Sequence, residues 1–350
     1  MNRYIGIDAH DKSCTAVVLD ERGSEMKRAV LETNGELIRD FIEQVPRARH
    51  VAFEEGNLSQ WLYELIEPVA QVVVVFVPPR RSGPKDDYRD ARSAAEGLRT
   101  HALERTVFKP TRELAELRCT VRAYRALGKD LTRAKIRLNS VFRSRAVFVG
   151  DEVYGKKGRL EALEQLPVAE RKLATAFGEE LDALQVLFRE RTKALKSVRN
   201  EDVARLETAP GIGPVRATTI VAVVGTPDRF RTTRQFWSYC GLGIVSHSSS
   251  DWTRDSNGKW ERTTRQSARG LNTNRNASLK EVFKGAALTL IGSDPDHPLV
   301  QGYRRRVAQG MESNLARLTM ARQLAAIVLA MWKHKEDYDP TRHSSDKTNA

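Results

Sequence analysis

Four carboxylates in the N-terminal part of the chain have a spacing that could build a site for divalent metal ions. They are Asp8, one of Glu54 and Glu55, one of Asp86 and Asp87, and Asp90. Mg²⁺ and Mn²⁺ prefer hard oxygen ligands, and phosphoryl transfer gains most from two such ions about 3.5–4 Å apart that flank the scissile phosphate. Acids that converge in the fold would therefore support the exchange of phosphoester bonds.

The first two acids follow short β-prone runs. Asp8 ends the run 4–8, and Glu54 and Glu55 follow the run 51–53. Adjacent residues of a strand point to opposite faces, so only one of the two glutamates can share a site with Asp8, and the spacing leaves both open. An aspartate at a strand end is also a common turn former, and either glutamate could be a surface acid.

The other two acids open a helix-prone stretch. Asp87 and Asp90 lie three residues apart and would share one helix face, where a cation would offset the repulsion between them. Asp86 and Asp90, four residues apart, fit the same geometry. The alternative is that these acids only stabilise the helix, because negative charges at a helix N-terminus interact favourably with the helix dipole.

Serines cluster in the C-terminal part, at 246–250, ahead of a basic and aromatic stretch, 252–269. This pattern predicts a loop that faces DNA. A hydroxyl is a weak nucleophile at neutral pH and would need activation by a base or a metal ion. His247 is a candidate for that base, and the alternative is an ordinary polar loop residue.

Two further segments offer donors to DNA. Residues 210–213 (PGIG) lie between two helical runs and resemble a helix-hairpin-helix turn, in which Gly211 and Gly213 would let backbone N–H groups approach phosphates; a simple turn between helices is the alternative. The second segment carries donors for phosphates and base edges, and its asparagines could instead cap and turn the chain. Its candidate DNA-binding residues are Arg265, Arg269, Asn272, Asn274, Arg275 and Lys280.

The elements that must position these residues follow from periodicity. Strands are predicted at 4–8, 15–20, 51–53 and 69–77, with helices at 37–42 and 58–66. This order predicts a mixed sheet covered by helices on both faces, and it fits an RNase H-like α/β domain, although other α/β folds share the alternation.

Long helices are predicted after this domain. Apolar residues with three-four spacing extend from 111 to about 147 and again from 181 to 198, which favours an antiparallel or intersubunit coiled coil, or else a plain helical bundle. Further helices are predicted at 217–224, from the donor segment to 287, and at 315–332. The polar end, 337–350, is expected to fray.

The composition favours a nucleic-acid partner. The 350 residues suffice for two or three domains, and 58 Lys and Arg against 45 Asp and Glu give a formal charge of +13. The basic residues are spread along the chain, which disfavours a membrane anchor, and the longest apolar run, 69–77, is too short to span a bilayer. Three widely spaced cysteines and an N-terminus without an export signal predict a cytoplasmic, nucleoid-associated protein.

Three motifs, taken together in order and spacing, carry a resemblance. YIGID at 4–8, FEEG at 53–56 and KDDYRDAR at 85–92 resemble the DEDD transposases of bacterial insertion sequences, and the resemblance extends from about residue 3 to 333. It implies a RuvC-like RNase H-fold domain at 1–105, a helical coiled-coil region at 106–203, and a mostly α-helical transposase domain with a serine loop at 204–335. The polar composition predicts a disordered tail at 336–350.

The resemblance also implies roles. It places the second acid on Glu54 after Phe53, with Glu55 as the fallback, and the last two on Asp87 and Asp90. It assigns the role of nucleophile to Ser249 in the first place and to Ser248 in the second. The chain departs from the family here, because Ser250 and Asp251 stand where a glycine often follows the nucleophile. It further implies Mg²⁺ or Mn²⁺, a DNA substrate, a structured noncoding guide RNA, and a homodimer or homotetramer.

Three other functions share parts of the pattern. A Holliday-junction resolvase is also RNase H-like with four acids, but it would hydrolyse DNA with water and need no serine. A sugar or acetate kinase-like ATPase also begins with a strand that ends in Gly-x-Asp, but the basic charge and the lack of a second phosphate-binding glycine loop count against it. A non-catalytic nucleic-acid-binding protein would carry the acids only as surface residues.

Overall fold

The computed structural model describes residues 1–78, 86–248, 252–254, 256, 258–262 and 266–343. Ser249 and Arg265 lie outside the described residues. The chain divides into two compact units, Met1–Glu113 and Leu114–Ala350. We call them the N-terminal unit and the C-terminal unit.

The N-terminal unit is built on a mixed β-sheet. Its described strands lie in the order β3-β2-β1-β4-β5-β6; β1, β4 and β5 run parallel, and the remaining neighbours pair antiparallel. The predicted mixed sheet at the start of the chain is therefore confirmed. In chain order the elements are β1 (Arg3–Ala9), β2 (Ser13–Leu19), β3 (Glu25–Glu32), α1 (Gly35–Glu43), β4 (Arg49–Glu54), α2 (Ser59–Ile66), β5 (Val72–Phe76), α3 (Asp87–Arg99) and β6 (Thr106–Val107).

Strand β3 was not predicted. It pairs with β2 at the edge of the sheet, and most of its residues are exposed, with Val30 at 74%. Of its apolar residues, Ala29 and Leu31 pack against the core. Because an edge strand buries so little, its sequence lacks the apolar alternation from which strands are predicted.

The two faces of the sheet pack very differently. Ile5, Ile7, Val51 and Phe53 lie in a core shared with α1 and α2. On the other face α3 crosses β1 closely, through the fully buried Ala91, Ala94 and Ala95. The glycine opposite them, Gly6, has no room for a side chain, since a β-carbon there would lie 1.9 Å from the carbonyl oxygen of Ala91.

The C-terminal unit is mostly helical, as predicted. Its elements are α4 (Arg112–Arg143), which begins just before the unit boundary, α5 (Lys156–Leu163), α6 (Val168–Lys196), α7 (Glu201–Glu207), α8 (Pro214–Val224), α9 (Thr233–Tyr239), β7 (Ile244–Ser248), β8 (Trp252–Arg254), β9 (Trp260–Arg262), β10 (Gln266–Leu271), α10 (Ala277–Ser293), α11 (Pro298–Ala308) and α12 (Ser313–His334).

Helices α4 and α6 lie side by side in opposite directions. Near the start of α4, Val121 shares a buried cluster with Leu195 at the end of α6. Further along, Tyr124 stacks on Phe188 with ring centroids 4.9 Å apart. Leu138 then meets the first half of α6 in another cluster, to which α5 also contributes. A coiled-coil geometry for this pair stays a prediction.

Helix α12 is the centre of the C-terminal core. Met320, Leu324, Val328 and Trp332 are buried against residues of the surrounding helices, which include Phe236 and Phe283. By length and composition α12 resembles a membrane span, but 56% of its most apolar stretch is buried inside the protein. Its hydropathy is therefore accounted for by packing.

Candidate functional site

Asp8 and Glu54 are neighbours at the ends of two parallel strands. The pairing of β1 with β4 sets Ile7 opposite Phe53, and each acid is the next residue along its strand. Ile7 and Phe53 both face the core under α1 and α2. Because side chains alternate along a strand, Asp8 and Glu54 point to the face that α3 covers.

Helix α3 brings the other two acids to the same face. Asp87 and Asp90 both lie in its first turn. One carboxylate oxygen of Asp8, one of Asp87 and a ring nitrogen of His10 all lie within 4.8 Å of one another. Asp90 is close enough for its charge to act on Asp8. The contact between α3 and the sheet thus draws Asp8, Asp87 and Asp90 together, and strand alternation directs Glu54 to the same face.

The pKa of Asp8 is raised above its ordinary value. Burial is the largest cause, and the charges of Asp87 and Asp90 add to it, while His10 acts in the opposite direction. A carboxylate that is buried beside other acids, as Asp8 is, favours a bound cation, which would offset both the burial and the repulsion. Carboxylate oxygens are the donors that Mg²⁺ and Mn²⁺ prefer, so the residues present fit a divalent ion.

His10 was not predicted to belong to this group. Its Nε2 lies 3.2 Å from Oδ2 of Asp8 and 3.4 Å from Oδ1 of Asp87. It follows the end of β1, two residues beyond Asp8. The sequence could have indicated His10 only through its position two residues after Asp8. The contact between His10 and Asp87 depends on the tertiary fold.

The two alternative acids have other partners. The carboxylate of Glu55 accepts from Nζ of Lys109 at 2.6 Å and from Oγ of Ser59 at 3.1 Å. Asp86 is the N-cap of α3, where its side chain accepts from the backbone N–H groups of Tyr88 and Arg89 at 3.1 and 3.3 Å. These contacts favour Glu54 and Asp87 for the site.

A cleft of about 520 Å³ opens at the ends of β1 and β4. Its walls include His10 and Glu54, together with Lys12 and the loop residue Asn57. The side chains of His10 and Asp87 are about half exposed, whereas that of Asp8 is 12% exposed. The group is therefore open to solvent on one side, where a substrate phosphate could reach it.

The predicted serine loop is partly a strand. In its described part, β7 runs to Ser248 and pairs antiparallel with β10, with Ser248 opposite Gln266. His247 lies opposite Ser267 in the same ladder, and the backbone of Arg269 lies on β10. Ser249, the first choice for a nucleophile, and Arg265 are not described.

Asn272 holds a turn through its side chain. Its amide donates to the carbonyl oxygen and Oγ of Ser238 and to the carbonyl oxygen of Asn274, and its Oδ1 accepts from the N–H of Asn274. Arg275 in turn donates to the carbonyl oxygen of Asn272 at 2.9 Å. These contacts support the alternative that Asn272 turns the chain, while Arg275 remains exposed.

The two glycines of the PGIG turn differ in their surroundings. Gly211 has a φ of +72°, and a β-carbon there would lie 2.5 Å from the carbonyl oxygen of Ala286 on α10. Gly213 begins α8 as its N-cap, and a β-carbon there would meet nothing within 4 Å. Gly211 is thus needed to pack the turn on α10, and the space beside Gly213 is open.

A group of cations lies at the start of α10. The pKa of Lys280 is lowered, first by burial and then by the charges of Arg275 and Lys284. Lys284 was not among the predicted residues, although it lies four residues after Lys280 on the same helix face. We call these three residues the α10 cationic cluster, and it can attract phosphates.

Two regions of the chain match known transposase families. Residues 5–145 match the IS110-type DEDD transposases, and residues 203–295 match the family described as Transposase IS116/IS110/IS902. A probable family 20 transposase from Pseudomonas aeruginosa is 27% identical over 234 residues, which cover 62% of this chain and 67% of the relative. These sequence matches place the chain in the class of insertion-sequence transposases.

Within that class, the chain belongs to the IS110-type DEDD transposases. The resemblance inferred from three short motifs is confirmed. Membership implies a DNA recombinase, and therefore a protein that binds DNA.

Proposed function

We propose that this transposase cleaves and rejoins DNA at divalent metal ions held by Asp8, Glu54, Asp87 and Asp90. The observation that carries the proposal is the convergence of these acids on one face of the sheet. Strand alternation directs the first two to that face, and the close crossing of α3 over Gly6 brings the last two to it. The raised pKa of Asp8 fits a site that a cation completes.

Bound Mg²⁺ or Mn²⁺ would supply charge stabilisation and orientation at the scissile phosphate. The chain's own residues would hold the ions and fix their position. The largely buried side chain of Asp8 would anchor an ion, while the half-exposed side chain of Asp87 would face the DNA. This fits an N-terminal domain with an RNase H-like, RuvC-like fold, which we propose for the mixed sheet and its helices.

We further propose a serine nucleophile in the C-terminal domain, Ser249 in the first place and Ser248 in the second. The serine oxygen would bond to phosphorus as a DNA hydroxyl leaves, and the hydroxyl of the incoming strand would later displace the serine. Each step exchanges one phosphoester for another, so no external energy source is required. Support comes from the family match at 203–295, which includes both serines.

DNA contacts are proposed for the α10 cationic cluster, for the PGIG turn acting as a helix-hairpin-helix element, and for Arg265, Arg269 and Asn274. The exposure of Arg275 and the charge of Lys284 beside Lys280 support the first of these. Such contacts would position DNA without reading its sequence. A guide RNA and assembly into a homodimer or homotetramer are proposed from the resemblance, with α4 and α6 as the coiled-coil region.

Strand exchange by the purified protein tests the mechanism. We expect Asp8→Asn and Ser249→Ala to reduce cleavage and joining at least about a hundredfold, since each removes a group that acts on the reacting phosphate. Asp40→Asn and Ser197→Ala, at exposed positions on α1 and after α6, are matched controls.

The outcomes separate the alternatives. Full strand exchange by Asp8→Asn would overturn the metal site. Exchange that survives replacement of both Ser249 and Ser248 would overturn the serine mechanism, and cleavage to hydrolysed ends alone would favour a resolvase-like nuclease. RNA dependence is tested by nuclease treatment of the purified protein, followed by the addition of RNA transcribed from the sequence that flanks its gene. Unchanged activity after treatment would overturn the guide-RNA proposal.

A further inference from the structure

We propose that His10 is a metal ligand of this site, together with Asp8 and Asp87, and that its nitrogen biases the site toward transition-metal ions. The inference rests on the proposed metal-dependent function. It adds a nitrogen donor to a set that was otherwise composed of carboxylates.

The distances fit one ion shared by three groups. Nε2 of His10 lies 3.2 Å from an oxygen of Asp8 and 3.4 Å from an oxygen of Asp87, and one ligand atom from each of the three residues lies within 4.8 Å of the other two. Two ligands at right angles, each about 2.1 Å from one ion, lie about 3 Å apart. A small contraction would therefore bring all three atoms to coordination distance.

Hydrogen bonding alone accounts less well for this arrangement. One ring nitrogen carries at most one hydrogen, so Nε2 can donate fully to only one of the two carboxylates that it faces. At 3.2 and 3.4 Å both contacts are at or beyond the long end of the range for such bonds. A cation that accepts the nitrogen lone pair and both carboxylates would satisfy all three groups at once.

Exposure leaves room for a substrate on the same ion. The side chains of His10 and Asp87 are 47% and 50% exposed, and His10 also lines the cleft. An ion bound by these three protein atoms would keep its remaining coordination positions open toward that cleft. Those positions are the ones that water or a phosphate oxygen would fill.

A nitrogen ligand changes the metal preference. Imidazole nitrogen suits transition metals, for which affinity rises from Mn²⁺ to Co²⁺, whereas Mg²⁺ is bound best by oxygen donors alone. We therefore expect this protein to discriminate between Mn²⁺ and Mg²⁺ more strongly than a site of four carboxylates would, and to lose that discrimination when the imidazole is removed.

The test combines spectroscopy with binding, and it does not depend on catalysis. Pulsed electron paramagnetic resonance of Mn²⁺ bound to the full chain should detect a directly coordinated nitrogen, and ¹⁵N-histidine labelling should change that signal. In His10→Gln the nitrogen signal should disappear. Mn²⁺ affinity by titration calorimetry should fall on the order of tenfold, and Mg²⁺ affinity by less than about threefold.

Two failures are distinguishable. If Mn²⁺ binding is absent in the parent protein, or survives unchanged in Asp8→Asn, the metal site itself is wrong. If Asp8→Asn abolishes binding but the parent protein shows no histidine nitrogen on Mn²⁺, only the role of His10 is wrong. The labelled parent protein decides this point even if His10→Gln folds poorly.

Discussion

Gly6 on β1 and Ala91 on α3 are in direct backbone contact, with no space between them for a side chain. A β-carbon on Gly6 would lie 1.9 Å from the carbonyl oxygen of Ala91 and 2.6 Å from the nitrogen of Ala95. Asp8 lies two residues after Gly6, and Asp87 and Asp90 precede Ala91 in the first turn of α3. The contact therefore sets the distance between the acids on the strand and those on the helix.

Replacing Gly6 with alanine should displace α3 from the sheet. We expect a loss of about 1–3 kcal/mol in the free energy of unfolding, as for overpacked cores, and a weaker affinity for Mn²⁺. Urea denaturation and calorimetry measure the two effects. Gly292→Ala on α10 is the control, because a β-carbon there meets nothing within 4 Å, and it should leave Mn²⁺ affinity unchanged. Normal Mn²⁺ affinity in Gly6→Ala would contradict the prediction.

Asp8→Asn should stabilise the metal-free protein at neutral pH. The pKa of Asp8 is raised in the folded state, mainly by burial, above its value of about 3.8 in the unfolded chain. The folded chain therefore keeps the carboxyl proton of Asp8 to a higher pH than the unfolded chain does. The contribution of this group to stability is thus present below about 3.8 and is lost as the pH rises through the folded pKa. Asparagine cannot ionise and avoids that loss.

Thermal unfolding with and without metal checks this prediction. In EDTA at pH 7, the Tm of Asp8→Asn should exceed that of the parent protein, and the difference should narrow as the pH falls toward 3.8. Added Mg²⁺ should raise the Tm of the parent protein but not that of the variant. A lower Tm for Asp8→Asn in EDTA would show that the ionised carboxylate of Asp8 does not destabilise the folded protein.

Lys109 should stabilise the segment that follows β4. Its side chain is 6% exposed, and its Nζ contacts the carboxylate of Glu55 and Oγ of Ser59, both at 2.6 Å. Lys109→Met should reduce the free energy of unfolding by about 2 kcal/mol, because it leaves Glu55 without its cation. Lys109→Met combined with Glu55→Gln should recover part of that loss. A double variant no more stable than Lys109→Met would contradict this account.

The α10 cationic cluster should contribute to DNA binding through phosphates. Lys280→Ala and Lys284→Ala should each weaken binding to DNA of any sequence, and each should reduce the slope of log K against log salt concentration by about one. Fluorescence anisotropy at several salt concentrations measures that slope. Arg22→Ala, at an exposed turn of the N-terminal unit, is the matched control. An unchanged slope in both lysine variants would remove this surface from the DNA interface.

Much of the fold could be predicted because its signals are local. The runs that end in Asp8 and Glu54 are strands, and the long apolar repeats are helices. Strand β3 and the strands β7 to β10 could not be predicted in this way. An edge strand such as β3 exposes most of its side chains, so burial leaves little pattern in its sequence.

The sequence by itself determined the positions of the buried strands of the sheet and of the long helices, the positions of the acids, and membership in the transposase family. Local sequence could not separate Glu54 from Glu55, because strand alternation says only that the two differ in face. It could not separate Asp86 from Asp87 either, because spacings of three and of four residues to Asp90 both fit one helix face. The tertiary structure decided which face α3 covers, and it gave Glu55 and Asp86 other partners. It also brought His10 to Asp87, since that contact joins a strand end to a helix more than seventy residues later.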